Sequence, residues 1–307
     1  MRVAFLGNDP WSVPSLEAVA GSRHRVALVV TRDPRPAGRK RRPRPTAVAE
    51  AARRLDLPLL ETPTVKRGAG WDSLRSAAPD VLAVVAYGEI LPLEVLELPA
   101  VAPVNVHFSL LPRLRGADPV RRAILQGEAR TGVTTIRMDE GLDTGPILLQ
   151  VGDEIRDEDH GGSLGARLSL AGGRLLVRTL DGLERGEIEP REQDHDAATL
   201  APKLRPEEEW IDWGEPAAAV WRLVRALSPE PGARTRFRDR VLKVLRARPV
   251  DGREPPGSIV EAGKHRLVVA AGRGALDLEE VVLEGRRPMS GAELARGQRP
   301  VIGERLG

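Results

Sequence analysis

Hydrophobic positions alternate between two textures along the first half of the chain. Val3–Leu6 and Val26–Thr31 are short apolar, β-branched runs, and the stretch between them is amphipathic around Val13–Ala20, which predicts strand, helix, strand. A helix is predicted over Thr46–Leu55, where Thr46 precedes the apolar period as an N-cap, and another over Trp71–Ala77. Leu57–Leu60 is apolar, and Val81–Ala86 is apolar without alternation, the pattern of a strand buried on both faces. Val104–Phe108, Thr131–Met138 and Pro146–Val151 read as strands, Pro119–Gln126 as a helix, and Ser163–Leu183 as a long helix despite the Gly172-Gly173 pair. This alternation predicts an α/β domain, an open and mostly parallel sheet with helices on both faces.

The pattern changes after about residue 189. Residues 190–209 are polar and lack any period, which predicts a linker. A short helix over Ala217–Ala226 follows, then strand-like runs at Arg240–Ala247, Gly257–Glu261, Arg266–Ala270 and Leu276–Leu283, separated by Gly and Pro turns. That spacing predicts a small β-barrel of the OB kind. The expected organisation is a catalytic domain at 1–189, a linker at 190–209 and a barrel at 210–307.

Length agrees, since 307 residues is comfortable for two domains. Hydrophobic content of 41% with 30% charge fits a globular chain able to bury a core. No apolar run approaches the ~18 residues of a membrane span, and the first residues read as a buried strand instead of a signal peptide. The absence of cysteine excludes disulfides, thiolate metal sites and a Cys nucleophile, and a cytoplasmic location is expected. Net charge is only +3, but residues 32–44 carry +6 and residues 222–248 carry +7, leaving −10 for the remainder. Two concentrated basic zones on an acidic body point to a polyanionic partner. Aromatics at 3% are too few for the usual base-stacking platform.

The motif search excludes several chemistries. The first βα turn has Gly7 alone, so it lacks the G-x-G-x-x-G of a dinucleotide site, and there is no P-loop, H-E-x-x-H or G-x-S-x-G. Two segments are informative. In 105–116, Asn105 and His107 are two apart on a strand and face one side, at the carboxyl edge where open α/β sheets bind ligands. Residues 138–145 form a loop dense in Asp and Gly. Taken alone, the first is more commonly a satisfied structural histidine, and an ordinary turn accounts for the second as well as a ligand-facing loop does.

In combination, Asn105-x-His107, Ser109-Leu-Leu-Pro112 with Arg115-Gly116, and Asp143 within Gly141-Leu-Asp-Thr-Gly145 resemble the formyltransferase family that uses 10-formyltetrahydrofolate. The resemblance covers nearly the whole chain. It includes Phe5-x-Gly7, Arg35-Pro-Ala-Gly-Arg39, Val85-Ala-Tyr-Gly88, Ile90-Leu-Pro92, Lys203-Leu204, Ile211-Asp-Trp213, Pro231-Gly-Ala233 and Gly303-Glu-Arg305. It implies formyl transfer from folate N10 to the α-amino group of methionine on initiator tRNA, with Asn105, His107 and Asp143 catalytic and no metal. It also implies folate contacts from Ser109, Leu110, Leu111, Pro112, Tyr87, Gly88, Ile90, Leu91 and Asp139. The tRNA contacts it implies are Arg39, Lys40, Arg41, Arg42 and Lys203. A monomer without membrane attachment is expected. Formylation of an amino-sugar nucleotide is the alternative, although the basic loop favours tRNA. A non-catalytic RNA-binding protein is disfavoured by the intact Asn, His and Asp set, and purine-pathway glycinamide formylation by the second domain. The chain departs from the family at Asn8-Asp9-Pro10, where Gly7 is usually followed by Thr-Pro, and at Asp118 and Arg121.

Overall fold

The computed structural model describes residues 1–37 and 42–307. It divides into two compact units. The first comprises Met1–Pro119, Arg130–Glu154 and Gly165–Pro202, and the second comprises Val120–Ala129, Ile155–Leu164 and Lys203–Gly307. Among the described residues no helix is long and apolar enough to cross a membrane.

The chain opens with β1 (Arg2–Gly7), α1 (Val13–Ala20) and β2 (Arg25–Thr31), as the apolar runs predict. A short antiparallel pair follows, β3 (Arg35–Ala37) with β4 (Arg42–Arg44). Helix α2 (Ala47–Arg54) is capped by Thr46, whose hydroxyl accepts the Ala49 N–H at 3.0 Å, and it buries Val48, Ala49, Ala51 and Ala52. Then come β5 (Leu59–Glu61), α3 (Gly68–Ser76), β6 (Val81–Val85), α4 (Leu93–Leu96) and β7 (Ala102–His107). Helix α5 (Pro119–Gln126), β8 (Arg130–Arg137), β9 (Ile147–Glu154) and α6 (Gly161–Arg185) complete the elements up to residue 185.

The sheet order is β5-β2-β1-β6-β7-β8-β9, parallel as far as β7. Strands β8 and β9 are antiparallel. The link between them is too short for the crossover that a parallel pair requires. All five residues of β6 are buried, which accounts for its unbroken apolar run. The glycine pair does not break α6, because it lies where the helix meets its neighbours. A Cβ on Gly173 would come 2.7 Å from the Pro14 carbonyl oxygen, and one on Gly172 would press on Val106 and Phe108. Close packing thus offsets the usual helix cost of glycine, about 1 kcal/mol per residue.

The second unit holds α7 (Ala217–Leu227), β10 (Ala233–Phe237), β11 (Arg240–Val250), β12 (Ile259–Ala262), β13 (Leu267–Ala270), β14 (Ala275–Leu283), β15 (Met289–Ser290) and α8 (Gly291–Gln298). Its antiparallel order is β10-β11-β14-β13-β12, with β15 on β14. The last residues of the chain bridge the two edges: Leu306 pairs with Phe237 of β10 and Arg305 with Ser258 beside β12. This antiparallel sheet thus gains a partner at one position on each edge from the end of the chain. Its core gathers Trp213, Val220, Val224, Leu227, Phe237 and Leu242 with other apolar residues, and Trp213 donates its indole N–H to the Thr235 hydroxyl at 3.0 Å.

One charge pair within this unit gives a test of its stability. Arg122 of α5 donates to both carboxylate oxygens of Glu208, at 2.7 and 3.1 Å. That fork, with the Arg205 backbone N–H, pulls the Glu208 carboxyl down to about 2. A carboxyl lowered on folding contributes stability above its ordinary value of 4.5 and loses it as pH falls from there toward about 2. Partial exposure screens the pair, so Glu208→Gln should cost about 1–2 kcal/mol near neutral pH. Urea unfolding read from Trp210, Trp213 and Trp221, all in this unit, should show the cost near pH 7, a shrinking difference below about pH 4.5, and convergence with the parent only as pH reaches about 2. Equal midpoints near pH 7 would show that the pair adds nothing.

Candidate active site

Strand β7 ends at the sheet's carboxyl edge and carries Asn105 and His107 on one face, two positions apart. Asp143 comes from the loop between β8 and β9 and meets both. Asn105 Nδ2 donates to Asp143 Oδ1 at 3.2 Å, and His107 Nδ1 lies 3.5 Å from Asp143 Oδ2. The Gly116 N–H donates to the same Oδ2 at 2.8 Å. Asp143 adopts the left-handed region with φ of 54°, which Asp tolerates better than most residues and which turns its carboxylate back onto β7. Next to it, Gly145 leaves no room for a side chain, since a Cβ there would stand 1.8 Å from the Arg137 carbonyl oxygen.

His107 is only 5% exposed. Its Nε2 sits 2.8 Å from the Leu114 carbonyl oxygen, which can only accept, so Nε2 carries a proton. Nδ1 is therefore the nitrogen that can exchange a proton, and it faces Asp143. Asn105, by contrast, is partly exposed.

The Ser109–Pro112 segment follows β7 and is fixed from below. Thr134 Oγ1 donates to the Ser109 carbonyl at 2.7 Å and accepts the Leu111 N–H at 3.2 Å, while Gln150 Nε2 donates to the Leu111 carbonyl at 2.8 Å. Ser109 itself is buried and donates its hydroxyl to the Arg113 carbonyl at 2.6 Å. Leu111 belongs to an apolar cluster with Ile136 and Ile147, whereas Leu110 and Pro112 are partly exposed. After β6, Tyr87 and Leu91 are buried with Leu6, Leu82 and Val95. Burial, then the nearby Glu89 carboxylate, pushes the Tyr87 phenol above its ordinary range, so it stays neutral. Gly88 and Ile90 are exposed, Ile90 by 79%, and Leu142 on the Asp143 loop is 60% exposed. Asp139 Oδ1 accepts the Gly141 N–H and the Thr144 hydroxyl at 2.7 Å, which makes it a brace of the loop.

Among the residues implied for tRNA, Arg39, Lys40 and Arg41 lie outside the described residues, Arg42 begins β4, and Lys203 is exposed at the start of the second unit. Among the described residues no three His, Cys, Asp or Glu side chains cluster as metal ligands. The departure at Asn8 has a structural reason. Its Oδ1 accepts from the Thr31 hydroxyl at 2.9 Å and the Arg32 N–H at 2.8 Å, and its Nδ2 donates to the Tyr87 carbonyl, so it ties together the ends of β1, β2 and β6. Asp118 is buried, with its N–H donating to the Ala201 carbonyl at 3.1 Å, and Arg121 donates to the Glu230 carbonyl at 3.2 Å.

The predicted linker at 190–209 needs correction in its first part. Residues 190–202 belong to the first unit and are bonded into it. Arg191 exchanges two backbone hydrogen bonds with Ile147, at 2.7 and 2.9 Å. Arg115 exchanges two more with Thr199 and Ala201, at 2.8 and 2.7 Å. Lys203–Glu209 belong to the second unit. Such bonds run from backbone to backbone over irregular chain and leave no apolar period to find.

Comparison with known proteins fits this geometry. The Formyl transferase family model matches residues 1–180, and the model described as Formyl transferase, C-terminal domain matches residues 203–299. A methionyl-tRNA formyltransferase of Solibacter usitatus is 45% identical over 309 residues, covering 100% of this chain and 99% of its own. Among solved structures, the methionyl-tRNA formyltransferase from Clostridium thermocellum aligns with a TM-score of 0.57 at 16% identity, over 81% of this chain and 93% of its own. WlaRD, a sugar 3N-formyl transferase, shares the fold with a TM-score of 0.65 at 14% identity, over 94% of this chain and 99% of its own. With both family models matched in order, and full-length similarity at this level, the chain belongs to the formyl transferase family.

Proposed function

We propose that this chain transfers a formyl group from 10-formyltetrahydrofolate to the α-amino group of methionine on initiator tRNA. The observation that carries the reading is the convergence of Asn105, His107 and the Gly116 N–H on one carboxylate, Asp143, at the open edge of the sheet. Bound folate supplies the formyl group on N10. Two exposed apolar side chains, Ile90 and Leu142, on loops after β6 and β8, fit an uncharged planar ring. Leu91, Tyr87 and Leu111 act beneath them as core supports that hold those loops. Ser109, Leu110, Pro112 and Gly88 offer backbone and partly exposed surface beside the same edge.

Asn105 donates its amide to the formyl oxygen as that oxygen gains charge. One such donor is worth about 3–4 kcal/mol in comparable sites. Asp143 takes the proton released by the attacking amine, His107 shares it through Nδ1 while its Nε2–H stays on Leu114, and the pair returns that proton to folate N10 as the bond from N10 to the formyl carbon breaks. Asn105 and Gly116 fix the carboxylate's two oxygens, so it meets the amine without having to reorganise.

The basic residues Arg39, Lys40, Arg41, Arg42 and Lys203 bind the phosphates of the acceptor tRNA. The test is to offer methionyl initiator tRNA, a charged elongator tRNA and an amino-sugar nucleotide, each with 10-formyltetrahydrofolate. Turnover is expected with the initiator tRNA. Turnover confined to the amino-sugar nucleotide would overturn the reading.

A further inference from the structure

Gln193 has no part in the chemistry above, yet its side chain touches the site from an unexpected direction. It is 5% exposed and lies between the two backbone anchors of the 190–202 segment, Arg191 on one side and Thr199–Ala201 on the other. Its Nε2 donates to the Asp143 carbonyl at 2.8 Å and to the Gly145 carbonyl at 2.7 Å. Its Oε1 accepts from Arg115 Nε at 3.1 Å and from a terminal nitrogen of the same guanidinium at 2.7 Å. Both amide donors and both lone pairs are used. The orientation is fixed as well, because turning the amide over would set its NH₂ against a guanidinium and its oxygen against two carbonyls. His195 accepts from the same guanidinium through Nδ1 at 3.2 Å.

We infer that Gln193 is a positioning residue for the Asp143 carboxylate, and the inference rests on the role given to that carboxylate under Proposed function. One amide joins two loops that are distant in sequence. On one side it holds the carbonyls that flank the left-handed turn at Asp143, a conformation that the surrounding structure must impose. On the other it holds Arg115, whose neighbour Gly116 supplies the N–H to Asp143 Oδ2. Backbone and carboxylate are thus fixed through the same side chain. The 190–202 segment therefore belongs to the working site even though it carries no reacting group.

The experiment uses the full chain. Gln193→Glu keeps the side chain's shape and an oxygen for Arg115, and replaces both donors with oxygen facing two carbonyls. The kcat should fall ~10–100-fold, with KM for folate and tRNA within about twofold, because a misplaced group costs turnover more than binding. In an Asp143→Ala background the same substitution should cost less than about twofold, since no carboxylate is left to position. A purely structural role would not give that cancellation. Arg115→Lys keeps the charge and loses the fork, and should show a smaller loss with the same cancellation; it carries the test if Gln193→Glu does not fold by circular dichroism. Parent-like kcat in a folded Gln193→Glu chain overturns the inference, as does a loss that persists undiminished without Asp143. Parent-like turnover in Asp143→Ala alone instead overturns the reading on which the inference rests.

Discussion

Replacing Asn105, His107 or Asp143 by alanine is expected to cut turnover at least ~10²-fold each, the usual loss when an oxyanion donor or an acid–base group is removed. The three losses have different physical origins. Asn105→Ala removes the partly exposed donor and leaves Asp143 Oδ1 without the amide that holds it. His107→Ala removes the proton partner of Asp143 and strips the Leu114 carbonyl of its donor, so the neighbouring loop loosens as well. Asp143→Ala removes the base and frees the Gly116 N–H. Since every one of these contacts ends on the same carboxylate, double variants should lose less than the product of the single losses. Circular dichroism should remain native, because the first unit's apolar core is built on other residues. Near-native turnover in a folded variant would remove that residue from the mechanism.

The same carboxylate shows how far a sequence can be read. Asn105 and His107 were placed together by strand period alone, and the run at Val81–Ala86 announced a central strand because both its faces are buried. The helix over Thr46–Leu55 was marked by its cap. Other elements carried weaker signals. Strand β10 reads Ala-Arg-Thr-Arg-Phe, and its charged alternate positions look like loop until its partner β11 is known. Helix α8 is absent from the sequence reading, because its only local signal is the reciprocal capping of Ser290 and Glu293 among turns. Gln193 left no trace at all, for a side chain that bonds to backbone carbonyls fifty residues away has no local pattern. The direction of the His107 proton was likewise invisible, since it depends on the Leu114 carbonyl.

Neutralising Arg39, Lys40, Arg41 and Arg42 together is expected to weaken tRNA use strongly while leaving the KM for folate unchanged. The charge distribution motivates this: residues 32–44 carry +6 within a chain of net +3. Each cation that meets a phosphate releases counterions on binding, so log affinity falls against log salt with a slope of about 0.9 per contact on a duplex stem. If all four meet phosphates, the variant's slope should flatten by up to about 3–4. If only two do, the change should be near 2, so the slope counts the contacts as well as detecting them. The parent's advantage should shrink as salt rises, because the contribution that the variant lacks is screened in the parent. Folate use should be unaffected, since Ile90, Leu142 and Ser109–Pro112 come from other loops of the chain. A nucleotide sugar carries too few phosphates to need this much positive charge, so a variant with unchanged tRNA kinetics and unchanged slope would remove the loop from tRNA binding. Such a result, with full turnover on an amino-sugar nucleotide, would transfer the same Asn105, His107 and Asp143 chemistry to that acceptor.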